Sequence, residues 1–167
     1  MRLDHVSYVT SHDQLADTVQ TPWGKAVSKK ANEGCGWFTW VFPTKGIAPI
    51  ESKFDRDAVV AHRTRPNGTD LNWKQIGVIE IAETREFPFF IQWLSADHPS
   101  QDGTPLAEIE KIVIADKDQL ADSWFKDEIL AALGDVNIEW VDPATNDDQS
   151  GIVSVHLTTP QGLVILD

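Results

Sequence analysis

Several features that would narrow the function are scarce or missing in this chain of 167 residues. Cysteine occurs once, at Cys35, so no disulfide can form within the chain. The first residues show no apolar segment typical of a secretion signal. No stretch approaches the roughly 20 apolar residues that a membrane span needs. We therefore expect a cytoplasmic protein without a disulfide framework.

Basic residues are also scarce in this chain. Lys and Arg number 14 against 26 Asp and Glu, which gives a net charge of −12 with no local run of basic residues. Such a surface repels phosphate backbones and anionic lipid, so we expect neither nucleic acid nor a membrane as partner. The chain does have core material, because 41% of its residues are hydrophobic and it holds seven Trp and seven Phe.

An internal repeat is the main clue to the architecture. The five residues Asp13–Asp17 recur letter for letter as Asp118–Asp122, and each copy follows a short β-prone run. Apolar residues lie four positions apart in both copies, which predicts a helix with one face on a sheet. Both copies therefore predict a strand that leads into a helix.

The middle of the chain predicts a complete unit of one strand, one helix and three further strands. Trp37–Phe42 is strand-like, and Ile47–Phe54 is helical if Pro49 lies in the first turn. Asn67-Gly68 between two β-prone runs predicts a hairpin. The last unit shows the same order from Ile109 onward. We therefore predict an α+β fold built from repeated βαβββ units.

These elements divide the chain into four segments. Residues 1–20 are predicted to form a partial first βα unit, 21–94 a helix and a complete βαβββ unit, 95–108 a polar linker, and 109–167 a second complete βαβββ unit. The first unit lacks three strands, which are either deleted or belong to a segment missing between Gln20 and Thr21. We favour the missing segment, because an isolated strand would leave its backbone groups without partners.

Several stretches resemble the glyoxalase-like domain of the vicinal-oxygen-chelate superfamily: the leading strand Leu3–Ser7 before a short helix, the repeated βαβββ units, and the closing hairpin Thr158–Leu166. The middle unit looks most like a group of bacterial members, on the strength of Gly34–Trp37, His62–Gly68, Leu71–Gln75 and Phe89–Trp93. The resemblance implies curved mixed sheets that form half-barrels around a cavity. In the enzymes of the family it also implies a divalent metal, held by a first-strand His and by carboxylates.

His5 matches the first-strand metal position that the resemblance implies. The other matching positions carry Trp37, Gln92 and Leu166, so the set supplies one imidazole and one amide oxygen. A divalent metal needs about three or more convergent ligands. We therefore expect no metal cofactor, with a divalent metal on His5 as the alternative. The simpler interpretation of His5 is a half-buried histidine hydrogen-bonded to a strand neighbour.

Strand periodicity indicates a ligand site in the middle unit. It places two arginines on one face of a predicted strand, and a Trp and a Gln on one face of the next. Together with side chains of the opening and closing strands they could line a cavity for a planar or carboxylate-bearing ligand. Alternatively this face is in solvent, with the arginines paired to surface carboxylates. The predicted ligand-binding residues are Trp37, Thr39, Arg63, Arg65, Trp73, Gln75 and Gln92.

Three functions are compatible with these features, and no catalytic residue is predicted. The first, which we favour, is a glyoxalase-like protein that binds a small anionic or aromatic molecule without a metal. The second is a metal-dependent lyase, isomerase or dioxygenase that uses His5. The third is a non-catalytic dimerisation module with exposed tryptophans such as Trp93 and Trp140 at its partner surface. A homodimer is compatible with all three.

Overall fold

The first of two sheets contains five strands. The computed structural model describes residues 3–9, 21–82, 84–99 and 106–167. The strands are β1 (His5–Val9), β2 (Gly36–Pro43), β3 (Val59–Thr64), β4 (Asp70–Ile76) and β5 (Phe89–Trp93), in the order β1-β2-β5-β4-β3. β2 and β5 run parallel, and the other neighbours are antiparallel. Helix α1 (Pro22–Glu33) precedes β2, and α2 (Ala48–Phe54) follows it.

The second sheet contains four strands and is linked to one helix. Its strands are β6 (Glu108–Ala115), β7 (Asn137–Val141), β8 (Gly151–Thr159) and β9 (Gly162–Leu166), in the order β7-β6-β8-β9, and α3 (Leu120–Leu133) connects β6 to β7. Along the chain this unit has the same order of elements as the β2–β5 unit. Its pairing differs, because β6 lies between β7 and β8, whereas β2 pairs with the last strand of its unit.

The predicted α+β class is confirmed. Three helices accompany two mixed sheets, one of them curled into a half-barrel. Short 3-10 helices at Glu80–Ala82 and Pro143–Thr145 complete the regular structure. Within the described residues, no helix combines the length and apolar character that a membrane span requires.

β1 belongs to the first sheet. It pairs antiparallel with β2, in a register that sets His5 opposite Val41. Its backbone groups therefore have partners, which removes the argument for a missing segment after Gln20. The first copy of the repeat lies outside the described residues, whereas the second copy runs into the start of α3 at Leu120.

The first sheet buries apolar side chains on both faces. Trp40 and Phe42 of β2 point toward the second sheet and pack with Ile112 and Phe125. On the opposite face, a second cluster of Phe38, Val41, Phe89 and Ile91 packs against α1. That second face is the one that carries the candidate site.

Thr21 and Pro22 form the start of helix α1. The hydroxyl oxygen of Thr21 accepts a hydrogen bond from the backbone N–H of Gly24 at 3.0 Å, and Pro22 occupies the first helical position. This start places Trp23 in the first turn, where its ring contacts Phe38 and Phe89 at 5.3 and 5.7 Å. The N-terminal end of α1 thereby lies over the apolar face of the first sheet.

Candidate functional site

A pocket of about 880 Å³ lies between the N-terminal end of α1 and the first sheet. This volume is within the range of small-molecule sites. β1, β3, β4 and β5 all contribute to its wall, and most lining side chains are apolar. The pocket therefore has room for a ligand larger than a single aromatic ring.

Tryptophans form one wall of the pocket. The rings of Trp73 on β4 and Trp93 on β5 lie 5.5 Å apart between centroids, because these residues are direct partners in the sheet. The indole N–H of Trp73 donates to Oε1 of Gln75 at 2.8 Å. Two of the residues predicted for the site thus hold each other in place, and the Trp73 ring is oriented before any ligand arrives.

Two arginines line the pocket, but their surroundings differ. Nη2 of Arg56 donates to both carboxylate oxygens of Glu80, at 2.9 and 2.6 Å, so its charge is already compensated. Arg63, opposite Leu71 in the register of β3 and β4, is exposed and makes no hydrogen bond or ion pair with any described residue. Arg63 is therefore available to an anionic ligand.

A buried carboxylate lies at the other edge of the pocket. Asp4, directly before β1, has a side chain only 3% exposed. Its Oδ1 lies 2.5 Å from Nδ1 of His5, while Oδ2 accepts from Nε1 of Trp93 at 2.8 Å and lies 2.9 Å from Nε2 of His98. Three ring nitrogens from three segments of the chain therefore surround one carboxylate.

These contacts decide the ionisation of Asp4. Burial by itself raises the pKa of Asp4, but the hydrogen bonds from His5, Trp93 and His98 outweigh it and hold the pKa below the ordinary value of 3.8. Asp4 is therefore ionised at neutral pH. An ionised carboxylate only accepts hydrogen bonds, so Nδ1 of His5 and Nε2 of His98 both carry a hydrogen.

Asp4 is expected to make folding sensitive to acid. Because its folded-state pKa is the lower one, its contribution is present in full above the ordinary value of 3.8 and is lost as pH falls through the folded pKa. Asp4→Asn should lower the free energy of unfolding by about 2 kcal/mol at pH 7 and flatten its decline in acid. Urea denaturation across this range measures both effects. Asp57→Asn, at an exposed carboxylate, is the control and should leave the decline unchanged.

The structure brings four of the predicted site residues to the pocket: His5, Arg63, Trp73 and Gln75. Trp37, Thr39, Arg65 and Gln92 lie elsewhere. Arg65 follows the end of β3, in a turn where its backbone N–H donates to the carbonyl of Thr69. The predicted residues of β4 and one of the two arginines therefore lie together at the pocket. The predicted residues of β2 and β5 do not.

The register of the sheet explains why Gln92 is not at the pocket. Trp73 pairs with Trp93, and Lys74 pairs with Gln92, so Gln92 shares a face with Lys74. Its Oε1 accepts from the backbone N–H of Ile47 at 3.2 Å, and its Nε2 donates to the carbonyl of Lys45 at 3.2 Å. Gln92 therefore holds the connection between β2 and α2.

A β-bulge explains why Trp37 is displaced. Ser7 pairs with Thr39 and Tyr8 pairs with Trp37, which leaves Phe38 as an extra residue in β2. Because of the bulge, Phe38 faces α1 and Trp37 faces the other way. Trp37 packs on Tyr8, and its Nε1 donates to the carbonyl of Leu166 at 3.1 Å. Thr39 is fully buried, and its hydroxyl donates to the carbonyl of Trp40.

Sequence reasoning missed Asp4, Trp93 and His98 as site residues. Asp4 stands next to His5, and a carboxylate beside a histidine at a strand entry is a usable signal. Trp93 alternates with Ile91 and Phe89, and that apolar face of β5 was overlooked in favour of Gln92. His98 lies in the segment predicted as a polar linker, yet its side chain is 26% exposed and contacts Asp4. No local feature of the sequence points to that contact.

The tryptophans do not form the exposed surface that the dimerisation alternative would use. Of the seven tryptophans, all of which lie in the described ranges, only Trp124 is exposed. Trp93 lines the pocket, and Trp140 packs edge-on against Trp40 with ring centroids 6.0 Å apart. Replacing Trp93 or Trp140 would therefore test the pocket or the core and not a dimer.

The pocket residues do not fit the metal that the resemblance implies. In the part of the chain that the structure describes, no three His, Cys, Asp or Glu side chains converge as a metal-binding group. Both carboxylate oxygens of Asp4 are hydrogen-bonded to ring nitrogens, and Glu80 is ion-paired with Arg56. His5 keeps one nitrogen, Nε2, which is fewer ligands than a divalent metal requires.

Comparison with known families agrees with the fold. The family model described as a glyoxalase-like domain matches residues 9–129, well over half of the chain. The chain belongs to the glyoxalase-like domain family. This membership is consistent with the vicinal-oxygen-chelate superfamily. No curated protein and no solved structure matches the chain significantly. The glyoxalase-like match covers every strand of the first sheet except most of β1, so most of the pocket lies inside it.

Proposed function

We propose that this glyoxalase-like protein binds a small aromatic carboxylate in the pocket beside α1, without a metal in the site. The observation that carries the proposal is Arg63, whose charge no described residue compensates and which lines a mostly apolar pocket together with Trp73. A guanidinium pairs with a carboxylate through two parallel hydrogen bonds. The indole face offers a stacking surface for an aromatic ring.

The charge of the whole chain does not oppose this proposal at the site. A net charge of −12 repels anions at long range. That repulsion is screened beyond about 8 Å at physiological ionic strength, whereas a contact with Arg63 acts at hydrogen-bond distance. Asp4, the acidic side chain of the described pocket lining, is engaged by ring N–H groups. Glu80, which pairs with the lining residue Arg56, is compensated by that guanidinium. Local recognition of an anion is therefore compatible with an acidic protein.

The other functions are less well supported. A metal-dependent lyase, isomerase or dioxygenase would need ligands that the described pocket residues do not supply. A dimerisation module would need exposed tryptophans, and most of them are buried or half-buried. A homodimer and a cytoplasmic location stay predictions. Binding of a small carboxylate uses the features that the pocket does have.

Arg63→Ala is expected to weaken binding of naphthoate, an aromatic carboxylate used as probe, by about ten-fold. Naphthamide, which has the same rings without the charge, should bind the wild-type protein and Arg63→Ala equally. Quenching of tryptophan fluorescence, checked by calorimetry, measures both affinities. The naphthoate affinity should be unchanged by EDTA, because the proposed contact involves no metal.

The matched control is Lys74→Ala. Lys74 is also a cation of the first sheet, but it lies on the face of β4 opposite to Trp73 and Gln75. This variant should retain the wild-type affinity for naphthoate. Equal affinities of Arg63→Ala and the wild-type protein, or no binding of naphthoate at all, would refute the proposed function.

A further inference from the structure

The contacts of Asp4 point to an activity beyond binding. We infer that His5 is a general base for a proton transfer from carbon, acting through Nε2 and held by Asp4, in the pocket that the proposed function fills with an aromatic carboxylate. The inference rests on that pocket accepting an aromatic ligand. It requires no metal, and it gives a use to Nε2 of His5, which hydrogen-bonds to no described residue.

The hydrogen bonds determine which nitrogen of His5 is basic. Asp4 is ionised and 3% exposed, so it accepts the hydrogen of His5 Nδ1 across 2.5 Å. In the neutral ring the second nitrogen, Nε2, then carries a lone pair and no hydrogen. A carboxylate in this position fixes the tautomer and stabilises the imidazolium that forms when Nε2 takes a proton. Asp4 is therefore a positioning residue for His5.

The location of His5 makes this lone pair accessible. The side chain is 44% exposed, lines the pocket, and meets Phe89 edge-on with ring centroids 6.1 Å apart. Trp93 and His98 hold Asp4 from the other side, at 2.8 and 2.9 Å, so the carboxylate cannot turn away from His5 without losing them. The pair is fixed at its buried end and open at its reactive end.

The sheet order indicates the shape of the substrate. β1 with His5 and β3 with Arg63 are the two edges of the first sheet, four strand steps apart. At about 4.8 Å per step this is about 19 Å along the curved sheet. A ligand that meets both residues is elongated, with a carboxylate at one end, aromatic contacts to Trp73 and Trp93, and the reacting carbon at the other end.

The reaction consists of a proton transfer and needs no second reactant. Nε2 of His5 removes a proton from a carbon next to a carbonyl, and the electrons of that C–H bond move to the carbonyl oxygen as an enolate. The imidazolium then returns the proton to a different carbon of the same conjugated system. One C–H bond breaks and one forms, so the overall change is an isomerisation.

The test uses nitrobenzisoxazole, a neutral aromatic probe that opens when a base removes its ring C–H proton. The electrons of the C–H bond complete a nitrile, the N–O bond breaks, and the product is one molecule, a coloured cyano-nitrophenolate. The imidazolium then releases its proton to water. The wild-type protein should accelerate this opening with saturation, and His5→Gln should lower kcat by about ten-fold or more. Asp4→Asn should lower kcat with little change in KM, since it affects the tautomer and not the aromatic walls.

Nitrogen NMR of the histidine rings is the second measurement, and it is independent of any probe. The signal that disappears in His5→Gln should show hydrogen on Nδ1 and none on Nε2 in the neutral ring. In Asp4→Asn the tautomers should mix, because an amide can either accept from Nδ1 or donate to it. A hydrogen on Nε2 in the wild-type protein, or equal kcat in the wild-type protein and His5→Gln, would overturn the inference.

Failure of the inference and failure of the proposed function give different results. Naphthoate is proposed to bind through Arg63 and Trp73 on β3 and β4, at the edge of the sheet away from β1, so His5→Gln should bind it as well as the wild-type protein does. If naphthoate binding depends on Arg63 but the probe opens no faster than with His5→Gln, then binding stands and His5 is not a base. If the probe opens in a His5-dependent way and naphthoate does not bind, then the base stands and the anion site is wrong.

Discussion

Replacing Trp40 by Ala is expected to lower the free energy of unfolding by about 4 kcal/mol. Trp40 is fully buried at the centre of the first sheet, with its ring 5.1 Å from Phe42 and 6.0 Å from Trp140 between centroids. The substitution leaves a cavity and also removes the hydrogen bond that Nε1 donates to the carbonyl of Glu86 at 3.1 Å. A loss of this size is a large part of the stability of most domains. Urea denaturation of the purified variant measures it.

Trp124→Ala is the matched control, because Trp124 is 52% exposed. It should cost about 2 kcal/mol, since roughly half of the Trp124 surface is already in water. Trp40→Phe is a third variant, which fills most of the volume and loses only the hydrogen bond, and it should fall between the other two. Equal losses for Trp40→Ala and Trp124→Ala would mean that Trp40 does not lie in the core between the sheets.

Gly77→Ala should destabilise the fold by about 3 kcal/mol and weaken naphthoate binding as well. Gly77 follows β4 with φ of +101°, and a Cβ there would lie 2.9 Å from Cα of Phe89 and 3.0 Å from the carbonyl oxygen of Pro88. Backbone atoms of a central strand cannot move aside without disturbing the sheet. Phe89 lines the pocket, so a shift of β5 changes the ligand site. Denaturation and fluorescence titration of the same preparation report both changes.

Gly68→Ala is the control that separates the cost of a positive φ from the cost of the close contact at Gly77. Gly68 also has a positive φ, +85°, but a Cβ there meets nothing within 4 Å. Its substitution should therefore cost only the conformational penalty, about 1 kcal/mol, and leave naphthoate binding unchanged. The difference between the two variants measures the close approach of β4 and β5 at Gly77. No difference would show that the two strands have room to separate.

Family membership and the pocket chemistry give complementary information. The glyoxalase-like match is consistent with the α+β fold and its curled sheet. It does not account for an aspartate that engages His5, Trp93 and His98 at once. A His that would be free to ligate a metal is instead oriented by a carboxylate. The chemistry that we infer for this chain therefore follows from its own residues and not from the family.

The candidate site could be predicted only in part, and the strands show why. Periodicity within one strand is local, so it correctly grouped Trp73 with Gln75 on β4. The side of the sheet that a second strand presents depends on its register with the first. Pairing of Trp73 with Trp93 excludes Gln92 from the pocket, and the bulge at Phe38 excludes Trp37. Neither the pairing nor the bulge leaves a local signature.

The sequence alone determined the α+β class, the family resemblance, a helix in the segment that begins at residue 21, and the residues that face one way on β4. These properties follow from periodicity, capping and turn residues, which act within a few positions of the chain. Only the tertiary structure decided that β1 joins the first sheet, that Arg63 lacks a partner among the described residues, and that Asp4 meets His98. Those contacts join positions up to 94 residues apart, and they exist only because the sheet register and the packing of α1 bring the segments together.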